Sequence, residues 1–265
     1  MLPLAYGRII MRYADRLDLQ RFVNRLLSRS LLTSDEQDAI LDLPCHFATV
    51  KANRDFVGLR EYVDHVSLIV DGIVGRFDQN RDGLRQITAL HLPGDMANLH
   101  SVVQPRATSA LQALSVATIL RIPHDALRAA TARRPALAEA LWRDSMVDAS
   151  ILAQWVVNVG RRDARARIAH LLCEVATRLG APNGQNGFRF AFAVTQFQIA
   201  DATGLTSVHV NRILRSLRES GLADVRNREV RVLDWRGLID AGDFDRNYLQ
   251  TEIRPEDKLR ILEAL

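Results

Sequence analysis

The stretch TQFQIADATGLTSVHVNRILRSLRESG, residues 195–221, has the spacing of two short helices crossing at a tight turn. Thr195 can cap the amide of Gln198 while the Gln198 side chain reaches back, so the T-x-x-Q string reads as a capping box that starts the first helix. Ala200 falls where two crossing helices touch, and Gly204 supplies the backbone freedom of the turn between them. A second helix starts at Thr206. Its Val210, Ile213, Leu214 and Leu217 recur at three- and four-residue steps and form the face that packs on the first helix. Ser207, Val208, His209, Asn211, Arg212 and Arg215 take the remaining positions, the end that a recognition helix turns towards base edges in a DNA groove. An ordinary helical hairpin, with Gly204 as a C-cap and the arginines as a solvated face, is the competing reading.

The residues immediately C-terminal to the stretch favour the first reading. Gly221-Leu222 ends the second helix, and ADVRNREVRVLDW then gives two short alternating runs around Arg226-Asn227-Arg228, the pattern of a β-hairpin wing. Residues 161–236 hold 13 arginines and 7 acids, a net +6, whereas the whole chain carries +4. Positive charge is therefore concentrated where the motif lies, as an electrostatic footprint for phosphate requires.

Outside this region the chain reads as an ordinary soluble protein with room for two cores: 265 residues, 48% hydrophobic and 25% charged. Its first twenty residues are broken by Arg8, Arg12, Asp15, Arg16 and Asp18, so neither export nor membrane insertion is expected, and a cytoplasmic location is. Cys45 and Cys173 stand far apart without CxxC spacing, which supports neither a disulfide framework nor a cysteine-held iron–sulfur cluster.

The texture changes along the chain. A helical segment runs from Ala14 to Leu43, with Leu17, Phe22, Leu26 and Leu27 on one stripe, a second start at Thr33 or Ser34, and Pro44 as its end. From about His46 to Pro123, short β-branched runs alternate with Asp71-Gly72, Asp82-Gly83 and Pro93-Gly94, the signature of a small antiparallel barrel or jelly roll. VSLIV, GIVGRF, RQITALHL and ATILRI are its expected strands. Residues 135–159 predict one long helix of about 37 Å, apolar around much of its circumference. One side can cover the β-domain while Trp142, Met146, Ala149, Ala153 and Val156 meet a partner helix; burial within a single chain is the alternative. Gly160-Arg161-Arg162 reads as a hinge, and GAPNGQNG, residues 180–187, as a flexible loop.

This order of β-roll, long helix and winged helix-turn-helix, with GIVGRF leading to RQITALHLPGDM and with LTSVHVNRILRSLRESGL, resembles the Crp/Fnr family of bacterial transcription regulators over about residues 20–240. LHLPGDMANLHS, LWRDSMVDASI and VNVGRRDARARIAHLLCE look especially like an alphaproteobacterial branch of it. The resemblance implies an α+β fold: N-terminal helices and a cyclic-nucleotide-binding-like β-roll at 1–134, a dimerisation helix at 135–160 and a winged helix-turn-helix at 161–240. The tail at 241–265 falls outside the resemblance, and its last part reads as either an amphipathic helix or a disordered end. It also implies a homodimer on a palindromic double-stranded DNA site, with RNA polymerase as a further partner.

The match carries site residues with it. Thr195, Gln196, Thr206 and His209 line up with the family's phosphate clamps, to which Arg215 and the wing residues Arg226, Arg228 and Arg231 add charge. Ser207, Val208, Asn211 and Arg212 fall at the base-reading positions; Arg212 can fork onto guanine, and Val208 stands where many members have a Glu. For the effector, Gly94 and Asp95 are placed at the family's ribose-holding turn, and Ala107-Thr108 at its phosphate-holding Arg-Ser pair, with Arg106 the nearest guanidinium. Control by cyclic AMP is accordingly not expected, and no cofactor is assigned. Control by a cyclic nucleotide or by haem, through His65, His91, His100 or His124, is the alternative within the fold. Oxygen sensing by an iron–sulfur cluster needs several N-terminal cysteines, and Cys45 stands alone there. A β-roll can also be a cupin-like metal enzyme, but no H-x-H pair occurs, nor any P-loop, G-x-S-x-G or H-E-x-x-H string.

Overall fold

The computed structural model describes residues 4–181, 185–251, 253–258 and 260, with side chains from residue 16 onward except that of Pro255. Helix α1 (Leu4–Leu27) and helix α2 (Ser34–Leu41) open the chain. Thr33 caps α2 and its own amide donates to Glu36, a capping box that fixes the start at Thr33. Leu19, Phe22, Val23 and Leu26 form the buried stripe of α1. Leu17 is exposed, against expectation, because it lies outside the three- and four-residue steps of that stripe.

Seven strands come next: β1 (His46–Val50), β2 (Arg54–Val57), β3 (His65–Asp71), β4 (Val74–Gln79), β5 (Arg85–His91), β6 (Ala110–Ala113) and β7 (Ala117–Pro123). They pair antiparallel in two sheets, ordered β1-β7-β3 and β2-β6-β4-β5, which enclose Val50, Val57, Ile69, Val74, Leu111 and Ile119. The expected runs became β3, β4, β5 and β7. Three strands went unforeseen, β1, β2 and β6, since short runs such as RDFV and ALQA carry no clear alternation. Gly72 joins β3 to β4 at φ +85°, where a Cβ would collide with the Val116 carbonyl.

Helix α3 (His124–Ala132) leads to the long helix α4 (Pro135–Arg161), which Pro135 starts from its first turn. Leu137, Leu141, Val147, Ile151 and Trp155 turn inward, while Trp142 is 73% exposed and Met146, Ala149, Ala153 and Val156 are exposed with it. The chain breaks at Arg162, which is extended, and Asp163 caps the next helix, α5 (Ala164–Arg178), by accepting from the Ala166 amide at 2.9 Å.

The remaining elements are β8 (Arg189–Ala191), α6 (Gln196–Thr203), α7 (Ser207–Glu219), β9 (Ala223–Arg226), β10 (Glu229–Val232) and α8 (Trp235–Gly242). The hairpin expected around Arg226-Asn227-Arg228 is present. Asn227 and Arg228 sit at φ +52° and +63°, the left-handed pair that a two-residue hairpin turn demands. Strand β8, unforeseen, pairs with β10 and widens the wing to a sheet ordered β8-β10-β9. One apolar core runs without a break from Ile87 and Leu90 of β5 through Ile151 and Trp155 of α4 to Leu172, Ile199, Leu214 and Leu217. The tail forms a 3-10 turn, Arg246–Leu249, rather than entering a helix there; residues 261–265, part of the stretch expected to be helical or disordered, lie outside the described residues.

Candidate DNA-reading surface and sensor interior

The reading surface is built from caps outward. Thr195 accepts from the Gln198 amide at 3.2 Å and Gln198 Oε1 accepts from the Thr195 amide at 2.7 Å, so α6 begins where the sequence placed it. Gly204 ends α6 at φ +64°, ψ +37°, and a Cβ there would crowd Val159 Cγ1 at 3.1 Å. Two residues on, the Thr206 hydroxyl accepts from the His209 amide at 3.2 Å and starts α7. Val210, Leu214 and Leu217 are buried beneath it, each worth about 1.5–3 kcal/mol of transfer free energy. Those anchors leave the opposite face free: Val208 is 80% exposed, and Asn211 and Arg212 are exposed beside it.

The other residues named from the sequence spread around this face. Asn211 Nδ2 donates to Gln196 Oε1 at 3.2 Å, which ties a position expected to read bases to one expected to meet phosphate on the neighbouring helix. Thr195, Gln196, Thr206, Arg226, Arg228 and Arg231 are exposed, while Ser207 and His209 are half-buried. Arg215 pairs with Glu219 at 2.8 Å and Arg226 with Asp224 at 3.1 Å, both on the surface, so any phosphate at these positions competes with a carboxylate. The first helix also carries Phe197, 72% exposed next to Gln196, which sequence reasoning passed over.

The four residues assigned to the effector do not gather. Gly94 turns at φ +96° towards α1, and Asp95, whose carbonyl accepts from the Ile69 amide of β3, turns its carboxylate out of the roll interior. Its Oδ1 takes Arg25 Nη1 of α1 at 2.7 Å, and its Oδ2 takes Arg178 of α5 together with the Leu92 amide. Burial alone would raise this carboxyl; Arg178 and Arg25 outweigh it and hold the group at about 2. Arg106 and Thr108 lie on the far loop, exposed, with Arg106 bridged to Tyr62. The ribose role given to Asp95 is therefore corrected: its carboxylate is ion-paired between α1 and α5. A turn's sequence shows where the chain reverses, but not the side to which its acid points.

Inside the roll, Val57, Val63, Asn98, His100, Ser101, Ala107, Ser109 and Leu111 surround the guanidinium of Arg76 and a cavity of about 10 Å³. That space holds at most about one water, far below the roughly 300 Å³ of a small-molecule pocket. Arg76 Nη2 donates to the Ala97 carbonyl at 2.7 Å while its Nε has no partner. The candidate haem ligands are separately engaged or enclosed. His65 bonds Asp64 at 2.8 Å, His124 bonds Ser101 at 2.8 Å, and His91 is buried. Burial and the Arg76 charge push His100 down to about 4. Among the described residues no group of three or more His, Cys, Asp or Glu side chains is arranged to hold a metal ion, and no helix is long and apolar enough to cross a membrane.

A β-roll, a long helix with one open face and a winged helix-turn-helix with an exposed recognition helix define a DNA-binding regulator. Comparison with known proteins agrees. Residues 48–134 match the cyclic nucleotide-binding domain model and residues 166–241 the Crp-like helix-turn-helix domain model. The nitrogen fixation regulation protein FixK of Azorhizobium caulinodans is 31% identical over 183 residues, 69% of this chain and 72% of that one. The transcriptional activator protein FnrA of Stutzerimonas stutzeri is 24% identical over 207 residues, 78% and 84% of the two chains. Among solved structures, FixK2 from Bradyrhizobium japonicum superposes with a TM-score of 0.68 at 26% identity, covering 75% of this chain and 98% of that one. The chain belongs to the Crp/Fnr family of transcription regulators.

Proposed function

We propose that this regulator works as a homodimer on a palindromic operator, with α4 as the dimer seam and α7 as the reading helix. Trp142, Met146, Ala149, Ala153 and Val156 form the seam, an apolar stripe too large to leave in water on a 27-residue helix. Ser207, Val208, Asn211 and Arg212 read bases, and Thr195, Gln196, Thr206, His209, Arg215, Arg226, Arg228 and Arg231 meet phosphates. The observation that carries this is the pairing of exposed Val208, Asn211 and Arg212 with a helix clamped from behind by Val210, Leu214 and Leu217. The working boundaries are a sensor at 1–134, the dimer helix at 135–160, the head at 161–240 and a tail from 241. The role is regulation, not catalysis, carried out in the cytoplasm with RNA polymerase as the downstream partner.

Cyclic nucleotide is not the signal in this reading, because Arg76 already fills the interior and Asp95 faces out of it. A valine at 208 cannot accept from cytosine N4 but can touch a thymine methyl, so the half-site departs from that of members with Glu at this position. Titrating the intact protein into palindromic duplexes at rising salt tests the whole. Two chains per duplex and a steep loss of affinity with salt are expected; one chain per duplex, or affinity indifferent to salt, would refute it.

A further inference from the structure

Beyond α8 the chain turns back at Asp243, whose carbonyl accepts from Arg162 at 3.0 Å just after α4 ends. Phe244 is buried against the His170 ring, with centroids 5.2 Å apart. Tyr248 donates to Glu174 Oε2 at 2.9 Å and lies 3.1 Å from His170 Nε2, so the segment is fastened to α5 of the head. Leu249, 1% exposed, then brings the chain to the turn between α1 and α2. There Arg29 donates from Nη2 to the Leu249 carbonyl at 2.9 Å and from Nε to the Gln250 carbonyl at 3.1 Å. Further along, Arg260 forks onto Glu36 of α2 at 2.7 and 2.9 Å.

The groups that receive this segment belong to a buried chain of alternating charge that links α5, the turn after β5, α1 and α4. Glu174 of α5 pairs with Arg178; Arg178 and Arg25 share Asp95 of the sensor turn; Arg25 and Arg29 share Asp144 of α4. Arg29 spends its remaining donors on the tail. Both ends of the segment are therefore bonded, one to the head and one to the N-terminal helices, and the bonds lie away from exposed Val208, Asn211 and Arg212.

We propose that residues 243–251, together with Arg260, are a strap that fixes the angle of the head to the sensor and to α4, and so sets the separation of the two reading helices in the dimer. The inference rests on the proposed dimeric reading of DNA. The physical reason is that two heads joined by a seam gain on a palindrome only if both reach their half-sites together. Fixed geometry raises the effective concentration of the second head, and a loose one forfeits that gain.

The test compares the intact chain, a chain ending at residue 243, Arg29→Ala and Arg260→Ala on a palindrome that the intact chain selects from random duplexes, and on its single half-site. Arg29→Ala leaves Asp144 paired with Arg25 at 2.7 Å, so it frees the strap without orphaning a buried charge. The expected result is a loss of about tenfold or more on the palindrome with half-site affinity held. Equal losses on both duplexes, or no loss on either, overturn the strap. Should the shortened chain fail to fold, the two point variants decide. An intact chain that selects no palindrome contradicts the proposed function and the strap with it; one that does, with variants of unchanged palindrome-to-half-site ratio, contradicts the strap alone.

Discussion

Asp95 and Arg178 lie 83 residues apart in the chain and meet as an ion pair in which each side chain is only 6% exposed, one from the sensor's turn and one from the first helix of the head. Arg178 also donates to the Leu90 carbonyl at 2.9 Å, so α5 is bonded to the end of β5 as well as to the turn. The turn that carries Asp95 is thereby ion-paired to α5 and to α1.

Replacing Asp95 with Asn removes the charge that two buried guanidiniums share. Breaking a buried pair outright costs about 3–5 kcal/mol; here Arg25 keeps Asp144 and Arg178 keeps Glu174, so a cost of about 1–3 kcal/mol is expected. Urea denaturation of Asp95→Asn should show a loss of that order, and a cost under about 1 kcal/mol would mean that these ion pairs are not formed in solution.

Asp148 gives the cluster a pH dependence of the opposite sign. Burial first, then the neighbouring Asp144 and Asp95 charges, raise its carboxyl from 3.8 to about 6. A folded-state value above the unfolded one makes the group's contribution most favourable below about pH 4, and that contribution is lost as pH rises through about 6. Asp148→Asn removes this penalty. Its stability relative to the native chain should be higher at pH 8 than at pH 5 by about 1–3 kcal/mol; a pH-independent difference would show that Asp148 is ionised throughout.

Cyclic AMP should not bind within the roll, since about 10 Å³ beside Arg76 leaves no room for it; the cleft of about 590 Å³ lined by Arg25, Gly94, Asp95 and Arg178 is a separate space outside it. Calorimetric titration of the native chain and of Arg76→Ala at millimolar nucleotide checks this, and saturable binding by the native chain that Arg76→Ala alters would place a pocket where the structure has a filled core.

The seam is open to a direct mutation. Met146→Arg or Val156→Arg puts a charge into the apolar stripe and, if α4 is the dimer contact, should convert the protein to monomers at micromolar concentration. Light scattering reads the mass; an unchanged dimer would move the interface elsewhere.

Local chemistry was legible in the sequence and long-range pairing was not. The Thr195–Gln198 capping box, Gly204 in the left-handed region and the Asn227-Arg228 turn follow from steric and hydrogen-bonding rules that act over a few residues. The inner and outer faces of α4 were readable for the same reason. The contact of Arg25 with Asp95 spans 70 residues, and nothing in either neighbourhood signals the other. Asp95 looked like a ligand-holding acid only because its turn has the family's shape. The tail was opaque because Tyr248, Leu249 and Arg260 act singly on different elements and leave no period. Strand β8 escaped because three residues are too few for an alternation to register.

The central claim is that the exposed face of α7 reads the DNA sequence, and selection of operators by paired variants tests it most directly. Random duplexes should be enriched for one palindrome by the native chain. Arg212→Ala should lose discrimination at a single base pair of each half-site, at a cost of about 1–3 kcal/mol, and Val208→Glu should change the preferred base at another while leaving the rest of the palindrome intact. If both variants enrich the same palindrome as the native chain, with the same preference at every position, α7 is not the reading helix.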